Sequence, residues 1–129
     1  MKSAVMGVLL VCATGTALAD WVRIRSDGTV TVLADSGSVS RSGDMATMWS
    51  MINYTTPRKT DDGEDYLSSR QRLEYDCTDK LSRRLEFDRY SDLSGLGRAV
   101  YSNKNASAWS PVTPGSVAGE LFKFACSAK

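Results

Sequence analysis

Few side chains in this chain can do covalent chemistry, and the first finding is what is missing. The 129 residues include no His, so no Ser-His-Asp or Cys-His nucleophile pair can form and no imidazole can ligate a metal. Ser is abundant, yet there is no Gly-x-Ser-x-Gly turn, and no Ser-x-x-Lys occurs after Ala19. Asp61-Asp62-Gly63-Glu64-Asp65 is an acidic cluster of the kind that can hold Ca²⁺. It lacks the EF-hand spacing, which alternates acidic or amide side chains and closes on a Glu. A solvated loop is the simpler reading. No local spacing sets two carboxylates in one cleft, as glycoside hydrolysis requires. The expectation is a protein with no catalytic residues, no metal site and no cofactor.

What remains is binding chemistry. Lys80, Arg83, Arg84 and Arg89 make a local basic patch. Glu86 and Asp88 interrupt it, and Glu74 and Asp76 are expected across a hairpin from it. One reading is a wet sheet face laced with cross-strand ion pairs, each worth about 0.2–1 kcal/mol. The other is a docking surface for an acidic or sulfated partner. Trp109, just before Ser110-Pro111, is a candidate exposed aromatic on a loop, where binding residues concentrate. Its alternative role is to pack over a sheet edge. These five residues form the candidate binding surface.

The cysteines acquire meaning from the start of the chain. Met1-Lys2 is a short positive opening, residues 4–13 are apolar, and Ala17-Leu18-Ala19 places small residues where a signal peptidase needs them. The apolar run is far shorter than the roughly 20 residues that span a bilayer. Residues 1–19 therefore read as a secretory signal cleaved after Ala19, leaving a single domain at 20–129 with no integral membrane segment. Cys12 follows Val11 rather than a small residue, which argues against lipid attachment there. Of the three Cys, the mature chain keeps Cys77 and Cys126. In an exported protein the simplest outcome is one disulfide between them; two free thiols or an intermolecular bridge are the alternatives. No Cys-x-x-Cys is present to suggest redox work.

The elements that must position these groups are mostly strands. Trp21–Arg25 and Thr29–Ala34 flank a Ser26-Asp27-Gly28 turn and read as a hairpin. A longer strand is expected over Met45–Tyr54, a polar loop over Pro57–Asp65, and strands over Tyr66–Cys77, Lys80–Tyr90 and Arg98–Tyr101, with residues 103–113 as a loop. In the fourth of these strands Leu67, Leu73, Tyr75 and Cys77 share one face, and Arg70, Arg72, Glu74 and Asp76 the other. In the fifth, Leu81, Leu85 and Phe87 alternate with Ser82, Arg84, Glu86 and Asp88, and Arg83 breaks the pattern. Met45–Tyr54 is apolar on both sides, so its sheet is expected to curl or to meet a partner chain. The tail is different: Thr113 suits an N-cap, Pro114 the first helical position, and Val117, Leu121 and Ala125 recur at helical spacing. Gly115 and Gly119 each weaken such a helix by roughly 1 kcal/mol relative to Ala. It needs tertiary support, which a bridge from Cys126 to Cys77 would supply.

The order of features resembles the surface-adhesin protein E family of bacterial envelope proteins. The matching residues are Trp21, Asp35 with Ser38-Val39, Trp49 on a strand ending at Asn53-Tyr54, Tyr66-Leu67-Ser68-Ser69 leading to Tyr75-Asp76-Cys77, and Pro114-Gly115-Ser116 opening the tail that ends at Cys126. The resemblance implies an α+β fold: an antiparallel sheet of about six strands, with a C-terminal helix tethered across one face by a disulfide. It implies adhesion to host extracellular-matrix proteins, no enzymatic activity, and a homodimer. This chain departs from the family's pattern in having no lipid-anchored Cys at its start.

Charge narrows the partner class. The formal charge is +1, and removing Lys2 with the leader leaves 15 basic and 15 acidic residues. A neutral domain argues against nucleic acid as a partner. The expected partner is a protein, either a host matrix protein or a component of the envelope. The alternative function is a soluble periplasmic accessory protein of the same fold, such as an inhibitor or an envelope-stress factor.

Overall fold

The computed structural model describes residues 19–128; the proposed signal segment, apart from Ala19, lies outside the described residues. Eight strands form one antiparallel sheet: β1 (Trp21–Ser26), β2 (Val30–Asp35), β3 (Ser40–Ser42), β4 (Met45–Lys59), β5 (Asp65–Asp76), β6 (Leu81–Tyr90), β7 (Ala99–Asn103) and β8 (Ser110–Pro111). Six of them run in the order β1-β2-β4-β5-β6-β7, while short β3 adds to β4 and β8 adds to β6. Among the described residues one α-helix, α1 (Val117–Ser127), follows the strands. The sheet, the C-terminal helix and the Cys77–Cys126 bridge all match the expected architecture.

The core lies between α1 and one face of the sheet. Val32, Ala34, Ala46, Met48 and Tyr75 point toward Leu121 and Ala125. Register explains the grouping, because residues opposite one another on neighbouring strands share a face. Val32 pairs with Ile52, Met48 with Leu73, and Ala46 with Tyr75. The helical stripe read from the sequence is thus the buried one. Cys77 and Cys126 bridge the end of β5 to the last turn of α1, with Cα atoms 5.7 Å apart. Arg41 on β3 holds the same end, donating to the carbonyls of Cys126 (2.8 Å) and Ala128 (3.0 Å). A cation here meets the unpaired C-terminal carbonyls of the helix.

The helix starts later than expected. Its N-cap is Ser116, whose hydroxyl accepts from the Gly119 amide at 3.0 Å. Thr113 and Pro114 lie in the preceding turn because Gly115 takes φ +82, a left-handed conformation that cannot sit in a right-handed helix. Gly119 also has a packing reason. A Cβ there would run into the Thr113 carbonyl oxygen and stand 3.3 Å from Pro114 Cα. Gly119→Ala should therefore destabilise the domain by about 1–3 kcal/mol, against the helix-propensity gain of roughly 1 kcal/mol. Urea denaturation decides the sign, and a rise in midpoint would refute the clash.

Two further differences concern β4. It continues to Lys59, so Pro57–Lys59 is strand rather than loop, and the tight turn is confined to 60–64. Proline is tolerated because the pairing is irregular here: Asn53 pairs with Ser68 and Arg58 with Tyr66, so residues 54–57 stand opposite Leu67 alone. The second apolar side of β4 is covered from within the chain. The short 3₁₀ turn Leu93–Gly95 folds over Met51, which is 4% exposed, and the Ser94 amide donates to Asn53 Oδ1 at 2.7 Å. Arg70 lies over the Trp49 ring at 4.1 Å. Neither a curled sheet nor a partner chain is required at these two residues.

Candidate functional site

The candidate residues do not form one patch. Lys80 is at the β5–β6 turn, in a left-handed conformation with φ 57, and its carbonyl accepts from the Val112 amide. It borders a hollow with Phe122 and Lys123 of α1, away from the arginines on β6. Arg83 is on the sheet face opposite the helix. It pairs with Glu74 at 2.8 Å and lies over the Trp109 ring at 4.7 Å. Trp109 is half-buried against that guanidinium at the β8 end of the sheet. Arg84 and Arg89 are on the helix side.

A bulge in β6 produces this split. Arg72 pairs with Glu86, but the next residue of β5, Leu73, pairs with Arg84, so Leu85 is an extra residue. An extra residue reverses the inside-outside alternation beyond it. Arg84 therefore shares a face with Phe87 and Arg89, not with Glu86 and Asp88 as strict alternation predicts. Arg83, which seemed to break the pattern, falls among the acids.

The outcome is a sorting of charge. On the face away from the helix, Arg72 meets Glu86 at 3.1 Å, Arg83 meets Glu74, and Lys104 reaches Glu86 at 3.4 Å. This is the cross-strand pairing that the charge pattern suggests. The acidic turn is partly neutralised as well, with Lys59 on Asp65 at 2.6 Å and Arg98 on Glu64 at 2.8 Å.

On the helix side, α1 covers chiefly β1, β2, β4 and β5. Beyond it lies an aromatic floor roofed by arginines. Tyr66 and Phe87 are 7% and 6% exposed although they lie beyond the cover of α1. Arg89 lies over Tyr66 (4.7 Å), Phe87 (5.1 Å) and Tyr101 (5.7 Å), and Arg84 lies over Phe87 at 3.8 Å. Tyr54 meets Tyr66 edge-to-face at 5.6 Å and carries Arg58 at 4.5 Å. Tyr101 tilts against Phe87 at 5.5 Å and is itself exposed. Each stacking is a cation–π contact, worth about 0.5–2 kcal/mol. Among the described residues, Arg58, Arg84 and Arg89 form no ion pair and no side-chain hydrogen bond.

The electrostatics follow the crowding. Burial, and then the neighbouring Arg89 charge, press the Arg84 guanidinium below its usual range, with Tyr101 opposing. Burial, and then Tyr66, raise the Tyr54 phenol, while Arg58 and Arg89 pull the other way. Arg58, Tyr54, Tyr66, Phe87 and Tyr101 are absent from the sequence-derived surface. The alternation of β6 marks Phe87 as inward, but only the bulge brings Arg84 over it.

The fold defines the class: among the described residues, an antiparallel sheet with a C-terminal helix tethered to it by a disulfide. The family model for surface-adhesin protein E matches residues 21–127, and the chain belongs to that family. No curated protein matches the chain. Among solved structures it is similar to Haemophilus influenzae protein E, with 15% identity and TM-score 0.62 over 92% of this chain and 91% of that one. The selenomethionine form of the same protein gives 15% identity and TM-score 0.63 over 83% and 85%. The protein E of non-typeable Haemophilus influenzae gives 17% identity and TM-score 0.60 over 93% and 83%. At these identities the likeness is one of fold. The family is one of surface adhesins, not of enzymes. Among the described residues no helix is long and apolar enough to cross a membrane.

Proposed function

We infer that this protein is an exported, non-enzymatic binding module of the bacterial envelope that acts as an adhesin for host extracellular matrix. Family membership supports the class. The observation that carries a binding role is the arginine row on the helix-side face, Arg58, Arg84 and Arg89, which lies over aromatic rings with no ion pair among the described residues, while Arg72, Arg83 and Lys104 on the opposite face are paired with Glu86 and Glu74. Residues 1–19 act as the leader, and the mature domain begins at Asp20. A homodimer belongs to the same reading, supported by the outer edges of β1 and β7, which pair with no further strand among the described residues.

Protease shaving of intact cells, combined with binding of the purified domain to immobilised matrix, tests this reading. Loss of the protein on shaving and saturable matrix binding are the expected results. A protein fully protected by the outer membrane would instead favour the periplasmic accessory role.

A further inference from the structure

We propose that the arginine-roofed face formed by Arg58, Arg84 and Arg89 binds a linear sulfated polysaccharide. The inference rests on the envelope-binding reading above and adds the ligand chemistry and the residues that recognise it.

Stacking uses the flat faces of a guanidinium and leaves its in-plane N–H groups free. Those N–H groups form a planar fork that takes the oxygens of an oxyanion two at a time. Arg84 lies over buried Phe87 at 3.8 Å and Arg89 over buried Tyr66 at 4.7 Å, contacts that restrain both guanidinium groups before any ligand arrives. Neither has an acceptor among the described residues. On the opposite face Glu74 and Glu86 are already occupied by Arg83, Arg72 and Lys104. The fold has thus separated three fixed cations from its acids, on a surface crossing β4, β5 and β6.

The form of the face selects among polyanions. β5 and β6 are hydrogen-bonded on both sides, so an acidic peptide finds no open backbone for strand addition. Single-stranded nucleic acid gains its affinity from bases stacked on open rings. Here the Tyr66 and Phe87 rings are roofed by the arginines and unavailable. What the face offers a ligand is guanidinium groups restrained over rings. A stiff polymer carrying sulfate groups along its length meets that requirement with little conformational cost on either side.

The test uses the purified full-length mature protein and a heparin surface, with Kd measured across a salt series. Heparin should bind the wild type, and chemically desulfated heparin should not. The Arg84→Gln/Arg89→Gln double variant should weaken heparin binding by at least about tenfold. Arg84→Lys/Arg89→Lys should fall between, because Lys keeps the charge but loses the fork and the stacking. Arg23→Gln, at an exposed position of β1, should leave Kd unchanged.

The proposal fails if heparin is not retained at low salt, or if the double Gln variant binds as the wild type does. It also fails if polyglutamate or oligothymidylate of matched charge binds the wild type as tightly as heparin. Should the Gln variant unfold, the Lys variant and the desulfated polymer still decide. Shaving of cells is not involved, so a failure here is distinct from a failure of the surface assignment.

Discussion

Replacing Cys77 and Cys126 together by Ser should lower the unfolding free energy by about 4 kcal/mol. The two residues are 49 apart in sequence, and closing a loop of that length removes about this much free energy from the unfolded chain. The native geometry supports the whole effect. The bridge joins the end of β5 to the last turn of α1, and both cysteines pack against the core. Domains of this size are stabilised by about 5–15 kcal/mol in total, so the loss is a large share. Urea denaturation of wild type, reduced wild type and the double Ser variant measures it. Reduced wild type and variant should agree. A midpoint change equivalent to less than about 1 kcal/mol would show that helix docking constrains the chain without the bridge.

Truncating Leu121 to Ala should cost about 2–5 kcal/mol. Leu121 is 2% exposed and inserts among Val32, Ala34, Met48 and Tyr75. The cavity would be flanked by strand residues that cannot collapse into it without disturbing sheet pairing. That places the expectation in the upper part of the range. Lys123→Ala, exposed on the same helix, should stay within about 0.5 kcal/mol of wild type. Equal effects at the two positions would mean that the helix does not bury the face assigned to it. Leu121 and the disulfide hold the same helix, so combining the losses should depart from additivity.

The helix shows how far a sequence reading reaches. Val117, Leu121 and Ala125 at intervals of four mark the buried face, and Leu121 and Ala125 are buried. By residue type Thr113 is a plausible cap. Gly115 overrides it, because its left-handed backbone turns the chain before Ser116 can cap α1. Pro57 misled for a similar reason: a missing donor ends a regular strand, but not one whose pairing is already irregular.

For the candidate site the limit is sharper. Clustering in sequence placed Lys80, Arg83, Arg84, Arg89 and Trp109 together, and the structure distributes them over two faces and a turn. Within β6 the extra residue at Leu85 decides the faces, while Lys80 is set apart by the turn that precedes the strand.

By itself the sequence determined the absence of imidazole chemistry, a nearly balanced charge, the order of strands before helix, and a cysteine pair suited to one bridge. These are properties of composition and local periodicity, and no folding is needed to read them. Only the tertiary structure decided which cations remain uncompensated. A side chain's face depends on register, register depends on bulges, and a bulge is settled by pairing between residues distant in the chain. Arg84 and Arg83 are adjacent in sequence, yet one lies over Phe87 and the other pairs with Glu74.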